Sequence, residues 1–368
     1  LTRNKKIIAL AVASMILTAG CNSLASQNSV PVTENSGVTM EKNQEGEKEA
    51  EAAPAVKKEI DLQMVKPNEA GQIMVLMYHN ISEPEAEWTR TPDNLRKDLQ
   101  ILYDKGYRPI SLRDYVTGNI TIEAGYTPVV LTFDDGWQNN FNLIQDSKGE
   151  WIVDSNSAVG ILEKFHTEHP DFPLEATFFV NDNIPFGQKE HLTFKLKYIV
   201  EKGMDVGNHT VTHVDFTKAD PERMQKELAG IVEMIGKHLP DYEVNTLALP
   251  FGSRPKDKSL YTYLEQGIHE GTSYKNIAIL NVGWDPDKSP YHKDFNPLAI
   301  HRIRGSELEK YVQNVGMYNW LEQFDKGSRT RFVSDGDPDT VTVPENFKEA
   351  LDSAKIGNRE VKTYILEK

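Results

Sequence analysis

Between about residue 70 and residue 305, short apolar runs alternate with amphipathic helical segments, and this alternation narrows the fold more than any other feature. The run Ile73 to Met77 reads as a strand ending at Tyr78 and His79. Leu95, Leu99 and Leu102 then recur at helical spacing, and Gly106 closes that helix. Val129, Val130, Leu131 and Phe133 form the next strand, followed by a helix within 154–170 and a strand within 175–182. A helix beginning near Phe194 runs into a short strand, and Met224, Leu228, Ile231 and Ile235 make one stripe of a further helix. Short strands follow within 244–253, 277–283 and 298–305. Strands that alternate with helices pack as parallel α/β, either a barrel or a doubly wound sheet. The composition allows such a core, with 39% hydrophobic and 9% aromatic residues.

The strand at 128–133 ends abruptly in Asp134, Asp135 and Gly136. Asp-Asp-Gly is ordinary turn chemistry, because glycine supplies positive φ at no steric cost. It is equally the composition expected of a site at the carboxyl end of a strand, where α/β folds carry their chemistry. Further along, "DVGNHTVTH" places His209 and His213 four residues apart, a spacing that puts both imidazoles on one face of a helical turn. An isolated pair of this kind also occurs on ordinary surfaces. Two histidines converging with a carboxylate form a common divalent-metal pattern with open positions. One of two adjacent carboxylates can then hold the metal while the other takes a proton from water.

These residues resemble the polysaccharide deacetylases, the NodB-homology or carbohydrate esterase family four enzymes. "TFDDG" is similar to the family's first motif, "HTVTH" to its second, and "ATFFV" to the strand between them. The resemblance covers most of residues 70–305 and implies a distorted or incomplete (β/α) barrel. It implies Asp134 as general base and Asp135, His209 and His213 as ligands of a divalent metal. Zinc is the first choice, with cobalt, nickel or iron(II) as alternatives. "VLMYHNI" resembles the opening strand of the branch acting on exported poly-N-acetylglucosamine, with His79 near the site but outside the metal's ligands. The third motif, here "ALPFG", keeps Pro250, Phe251 and Gly252 but has Ala248 where the family has arginine. Arg302 and Arg304 are the candidates to take its place, and the Phe251 backbone N–H is assigned to the oxyanion. In the final motif "PLAIHRI" offers His301 as general acid, with a plain surface histidine as the alternative. Trp137 and Trp284 suit sugar rings, although core packing is the commoner use of such residues. The stretch around 146–156 is longer than usual after the first motif and is placed to shape a substrate groove.

The remaining segments divide the chain. Residues 1–21 carry a basic start (Arg3, Lys5, Lys6), an apolar run from Ile7 to Leu17, and "LTAGC" ending at Cys21. That order resembles a bacterial lipoprotein signal with Cys21 as the lipidated residue. Cys21 is the only cysteine, which excludes a disulfide within one chain. Residues 22–66 contain no Phe, Trp or Tyr and read as a flexible polar tether. Residues 67–327 form the expected catalytic domain, and 328–368 a C-terminal extension of β-rich or irregular character. A formal charge of −14 argues against nucleic acid as a partner. The combined expectation is a metal-dependent hydrolase removing N-acetyl groups from N-acetylhexosamine units of a wall or extracellular polysaccharide. It would be held by its lipid anchor on the outer side of a bacterial membrane. Two other readings stay open: a non-catalytic wall- or glycan-binding lipoprotein retaining the fold, and an esterase acting on O-acetyl groups.

Overall fold

The computed structural model describes residues 59–181 and 184–367. The signal segment with Cys21, and the tether as far as Lys58, therefore lie outside the described residues. Eight strands form one sheet: β1 (Met74–Tyr78), β2 (Tyr107–Pro109), β3 (Thr127–Phe133), β4 (Thr177–Val180), β5 (Asp205–Asn208), β6 (Thr246–Ala248), β7 (Ala278–Leu280) and β8 (Ile303–Arg304). Their order is β7-β6-β5-β4-β3-β1-β8, β2 joins the first half of β3, and every pairing is parallel. A single parallel bridge from Leu280 to Ile300 brings the last segment back toward β7. The sheet is thus curled into a distorted, incomplete (β/α) barrel with helices around it.

The helices are α1 (Pro92–Asp104), α2 (Leu112–Thr117), α3 (Ala158–Glu168), α4 (Leu192–Glu201), α5 (Pro221–Gly236) and α6 (Met317–Asp325). Their starts are chemically specified. Thr91 and Asp220 accept a bond from the third backbone N–H beyond them and are each followed by proline, while Ser157 does the same for α3.

Both faces of the central strands are buried, which is why β1 and β3 are apolar without alternation. Leu76, Leu131, Phe133, Phe178 and Val206 pack with Leu95, Leu99, Leu196 and Ile231 of the surrounding helices. The alternate residues Val75, Val130 and Phe179 form a separate inner core with Ala248, Leu280 and Ile300.

The segment after Gly327 completes that inner core. Phe332, Val341, Val343 and Ile356 belong to the same buried cluster as Val75 and Val130. Residues 340–344 pair in parallel with 360–364. Phe332 N–H donates to Gln72 C=O at 2.9 Å and Ser334 N–H to Tyr126 C=O at 2.9 Å, so the segment covers the amino ends of the barrel strands. Gly71 is required there, since a Cβ would sit 2.2 Å from the Arg331 carbonyl oxygen. The stretch following the first acidic motif is an antiparallel hairpin, Leu143–Gln145 with Trp151–Val153.

Candidate functional site

The two-residue period of β3 sends Val130, Thr132 and then Asp134 toward the barrel interior. Asp134 is buried, at 1% exposure, and its N–H donates to Tyr78 C=O at 2.9 Å. Across the barrel, the fully buried Arg302 grips it with two parallel bonds, Nη1 to Oδ1 at 2.7 Å and Nη2 to Oδ2 at 2.8 Å. The guanidinium is itself fixed by the Asn281 carbonyl at 2.9 Å and Thr132 Oγ1 at 3.2 Å. Asn281 in turn accepts two bonds from Arg254. Burial alone would raise the Asp134 carboxyl, but the Arg302 guanidinium and the nearby His209 outweigh it and hold it below the usual carboxylate range. Of the two arginines considered in place of Ala248, the structure brings Arg302 to Asp134. Arg304 lies over the Trp88 ring at 4.8 Å and meets Glu87.

Asp135 turns out of the strand with φ 71° and faces a different set of groups. Its Oδ1 is 3.4 Å from His209 Nε2 and 3.5 Å from His213 Nε2. His209 follows β5, is buried, and bonds through Nδ1 to the Ala248 carbonyl at 2.8 Å, which leaves Nε2 for Asp135. His213 is half-buried and its ring centroid is 4.9 Å from that of His209. The two histidines do not sit on a helical turn, contrary to the spacing argument. Thr210 and His213 have φ of 64° and 52°, and the loop folds back so that Thr210 Oγ1 accepts from Val214 N–H at 3.1 Å. One ligand-capable atom from each of Asp135, His209 and His213 lies within 4.8 Å of the others. Two imidazoles, one with its second nitrogen fixed by a carbonyl, and one carboxylate make a donor set suited to zinc or a similar divalent cation. Burial would raise the Asp135 carboxyl, but His209, His79 and the Trp137 N–H outweigh it, so it lies below the usual range.

His79, at the end of β1, approaches Asp134 from the other side, Nε2 to Oδ2 3.9 Å. Burial pushes its pKa down to about 4. Phe251 has φ 58°, and its exposed ring lies 4.5 Å from the His213 ring. His301 is not brought to this group. It is exposed, its Nδ1 is 2.9 Å from Asp285 Oδ1, and its N–H donates to Asp287 Oδ2 at 2.8 Å. The reason is alternation: an extended segment that turns Arg302 into the barrel turns its neighbour to the other side. Trp137 and Trp284 are 51% and 64% exposed, so neither serves the core.

Three features of the site carried little sequence signal: the bond from Trp137 to Asp135, the Trp88 ring over His79, and the Arg254–Asn281 support of Arg302. Backbone strain also gathers here, since Asp135, Thr210, His213 and Phe251 all have positive φ without being glycine.

Residues 162–269 match the family model described as Polysaccharide deacetylase. The matched stretch contains His209 and His213 and begins after the Asp134–Asp135 pair. YxkH of Bacillus subtilis (strain 168), named as a candidate polysaccharide deacetylase, is 23% identical over 315 residues, covering 82% of this chain and 98% of its own. Among solved structures, BC0361, a polysaccharide deacetylase from Bacillus cereus, is 22% identical with a TM-score of 0.48, covering 67% of this chain and 69% of that one. The Streptococcus pyogenes deacetylase PplD in complex with acetate is 21% identical with a TM-score of 0.48, covering 67% and 98%.

Proposed function

Since the chain belongs to the polysaccharide deacetylase family, we propose that it hydrolyses N-acetyl groups on N-acetylhexosamine units of a cell-surface polysaccharide. The observation that carries this reading is the division of labour between adjacent carboxylates. Asp134 is tied to Arg302, while Asp135 faces His209 and His213. A divalent cation held by Asp135, His209 and His213 would supply Lewis acidity toward the acetyl carbonyl and make water more acidic. Asp134 is the base that accepts the proton of the attacking water. Arg302 holds both of its oxygens, so the carboxylate stays ionised and in one orientation. The backbone N–H of Phe251 is the proposed donor to the oxyanion.

The leaving amine also needs a proton. His301 was the first choice for that role, but its contacts run to Asp285 and Asp287. His79 is the better-placed group, 3.9 Å from Asp134. With a pKa near 4 it is neutral at pH 7, so it would pass on the proton that Asp134 takes up rather than store one of its own. The non-catalytic glycan-binding reading draws on alanine at position 248 and on the lack of a clear general acid; Arg302 on Asp134 speaks against the first point alone.

A lipid on Cys21 and the tether after it would hold the enzyme on the outer side of the membrane, beside a polymer that cannot diffuse to it. The end of the expected tether belongs to the folded part, since Leu62–Val65 is a helix and the Gln63 side chain donates to the Ile365 carbonyl at 2.8 Å. The reaction is tested by acetate release from N-acetylglucosamine oligomers, with the metal stripped by chelator and then restored as zinc. Zinc-dependent release supports the N-deacetylase. Release confined to an O-acetylated xylan would instead establish the esterase.

A further inference from the structure

We propose that Trp137 is a positioning residue for Asp135, fixing through its indole N–H which carboxylate oxygen faces the two histidines. The proposal rests on reading Asp135, His209 and His213 as a metal site. Trp137 Nε1 donates to Asp135 Oδ2 at 3.0 Å. The other oxygen, Oδ1, faces His209 and His213 and accepts a longer bond from Asn181 Nδ2 at 3.3 Å. The two oxygens therefore have separate partners, and the carboxylate cannot rotate without losing one set. An indole N–H suits this task because it only donates, carries no charge and does not titrate in the working range. It orients the carboxylate without competing for a cation.

The rest of the residue argues against a simple packing role. Half of Trp137 is exposed, so about half of the benefit of burying so large a side chain is forgone. Its backbone, by contrast, is firmly held. Gly136 takes φ 62° and accepts from Phe186 N–H at 2.7 Å. Asn140 N–H donates to Trp137 C=O at 2.9 Å, and the buried Asn140 side chain bonds to the His79 carbonyl at 2.7 Å. The turn that follows the acidic pair thus aims the indole at Asp135 and leaves its open surface beside the site. Two other exposed rings make comparable contacts: Trp88 lies 4.7 Å from the His79 ring and Phe251 4.5 Å from the His213 ring. Neither of these contacts supplies a hydrogen bond.

The test compares Trp137→Phe, which keeps an aromatic ring and deletes the N–H, with Trp137→Ala and His209→Ala in the full-length chain. Zinc affinity is read by competition with a chromogenic chelator, and KM and kcat on N-acetylglucosamine oligomers are read separately. Trp137→Phe should bind zinc about tenfold or more weakly than wild type, the usual cost of losing an outer partner of a metal ligand. Its KM should stay near wild type, while Trp137→Ala should weaken zinc binding to the same extent and also raise KM. Wild-type zinc affinity in Trp137→Phe, with binding lost in His209→Ala, would overturn the proposal and leave the metal site standing. Equal zinc binding by wild type and His209→Ala would overturn the metal site and this proposal with it.

Discussion

Asp134 meets two demands that pull its chemistry in opposite directions. It must stay ionised inside the barrel, and it must accept a proton during reaction. Arg302 serves the first demand by a bidentate grip and limits the second by holding the carboxyl below its usual range. Arg302→Met should therefore act twice. Leaving a buried carboxylate without its partner should cost about 3–5 kcal/mol in urea unfolding at pH 7. The acidic limb of kcat/KM should also move to higher pH, because burial then raises the carboxyl with only His209 and His79 acting against it. The sign for stability follows from the lowered folded-state pKa. The contribution is present above the ordinary aspartate value of about 4 and is lost as pH falls through the lower folded value. The gap between wild type and Arg302→Met should begin to narrow above about pH 4, as pH falls through the raised carboxyl of the variant, and finish narrowing at the lower folded value of wild type. An acidic limb that does not move would contradict the assignment of Asp134 as base.

What could be read beforehand at this scale was chemistry by residue type. Asp134, Asp135, His209 and His213 stood out because strand ends and paired histidines are rare company for one another. Arg302 was only one of two candidates. Arg302 and Arg304 share a strand face, and only the depth of each in the barrel separates the Asp134 partner from the Trp88 partner. His301 misled because a histidine beside a strand looks the same from either face.

Elements tell a different story. The apolar strands and the stripe of α5 were legible, since burial on both faces imposes continuous apolar runs and a helix imposes its own period. The loop with His209 and His213 was not. Its shape comes from positive φ at Thr210 and His213 and from contacts with residues far off in sequence, such as the Ala248 carbonyl. The tail after Gly327 gave only a vague β signal, because its strands pair with each other and seal a barrel end that local pattern does not announce. Two consequences follow at this scale. Phe332→Ala should destabilise the chain by about 3–5 kcal/mol, measured by chemical denaturation, as deletion of a fully buried phenylalanine normally does. A chain ending at Gly327 should lose cooperative unfolding altogether, since Ile73, Val75 and Val130 would lose their buried partners. A sharp thermal transition in that truncated chain would show the tail to be dispensable.

Across the whole molecule, the strand ends divide the work. The amino ends are closed by the tail, and the carboxyl ends carry the acids, the histidines and the exposed aromatic rings. No helix among the described residues is long and apolar enough to cross a membrane. On the lipoprotein reading attachment depends on Cys21, so Cys21→Ser should abolish incorporation of a labelled fatty acid and leave the membrane fraction. Unchanged labelling would contradict the lipoprotein reading.

The measurement that bears most directly on the central claim is made on Asp134→Asn beside wild type, each stripped of metal and reloaded with zinc. Zinc content and acetate release from N-acetylglucosamine oligomers are determined on the same samples. Asp135, His209 and His213 are intact in the variant, so it should bind one equivalent of zinc and release acetate at least a hundredfold more slowly, the loss expected of a missing general base. Equal acetate release by the variant and wild type would contradict the account, because Asp134 would then have no part in the chemistry.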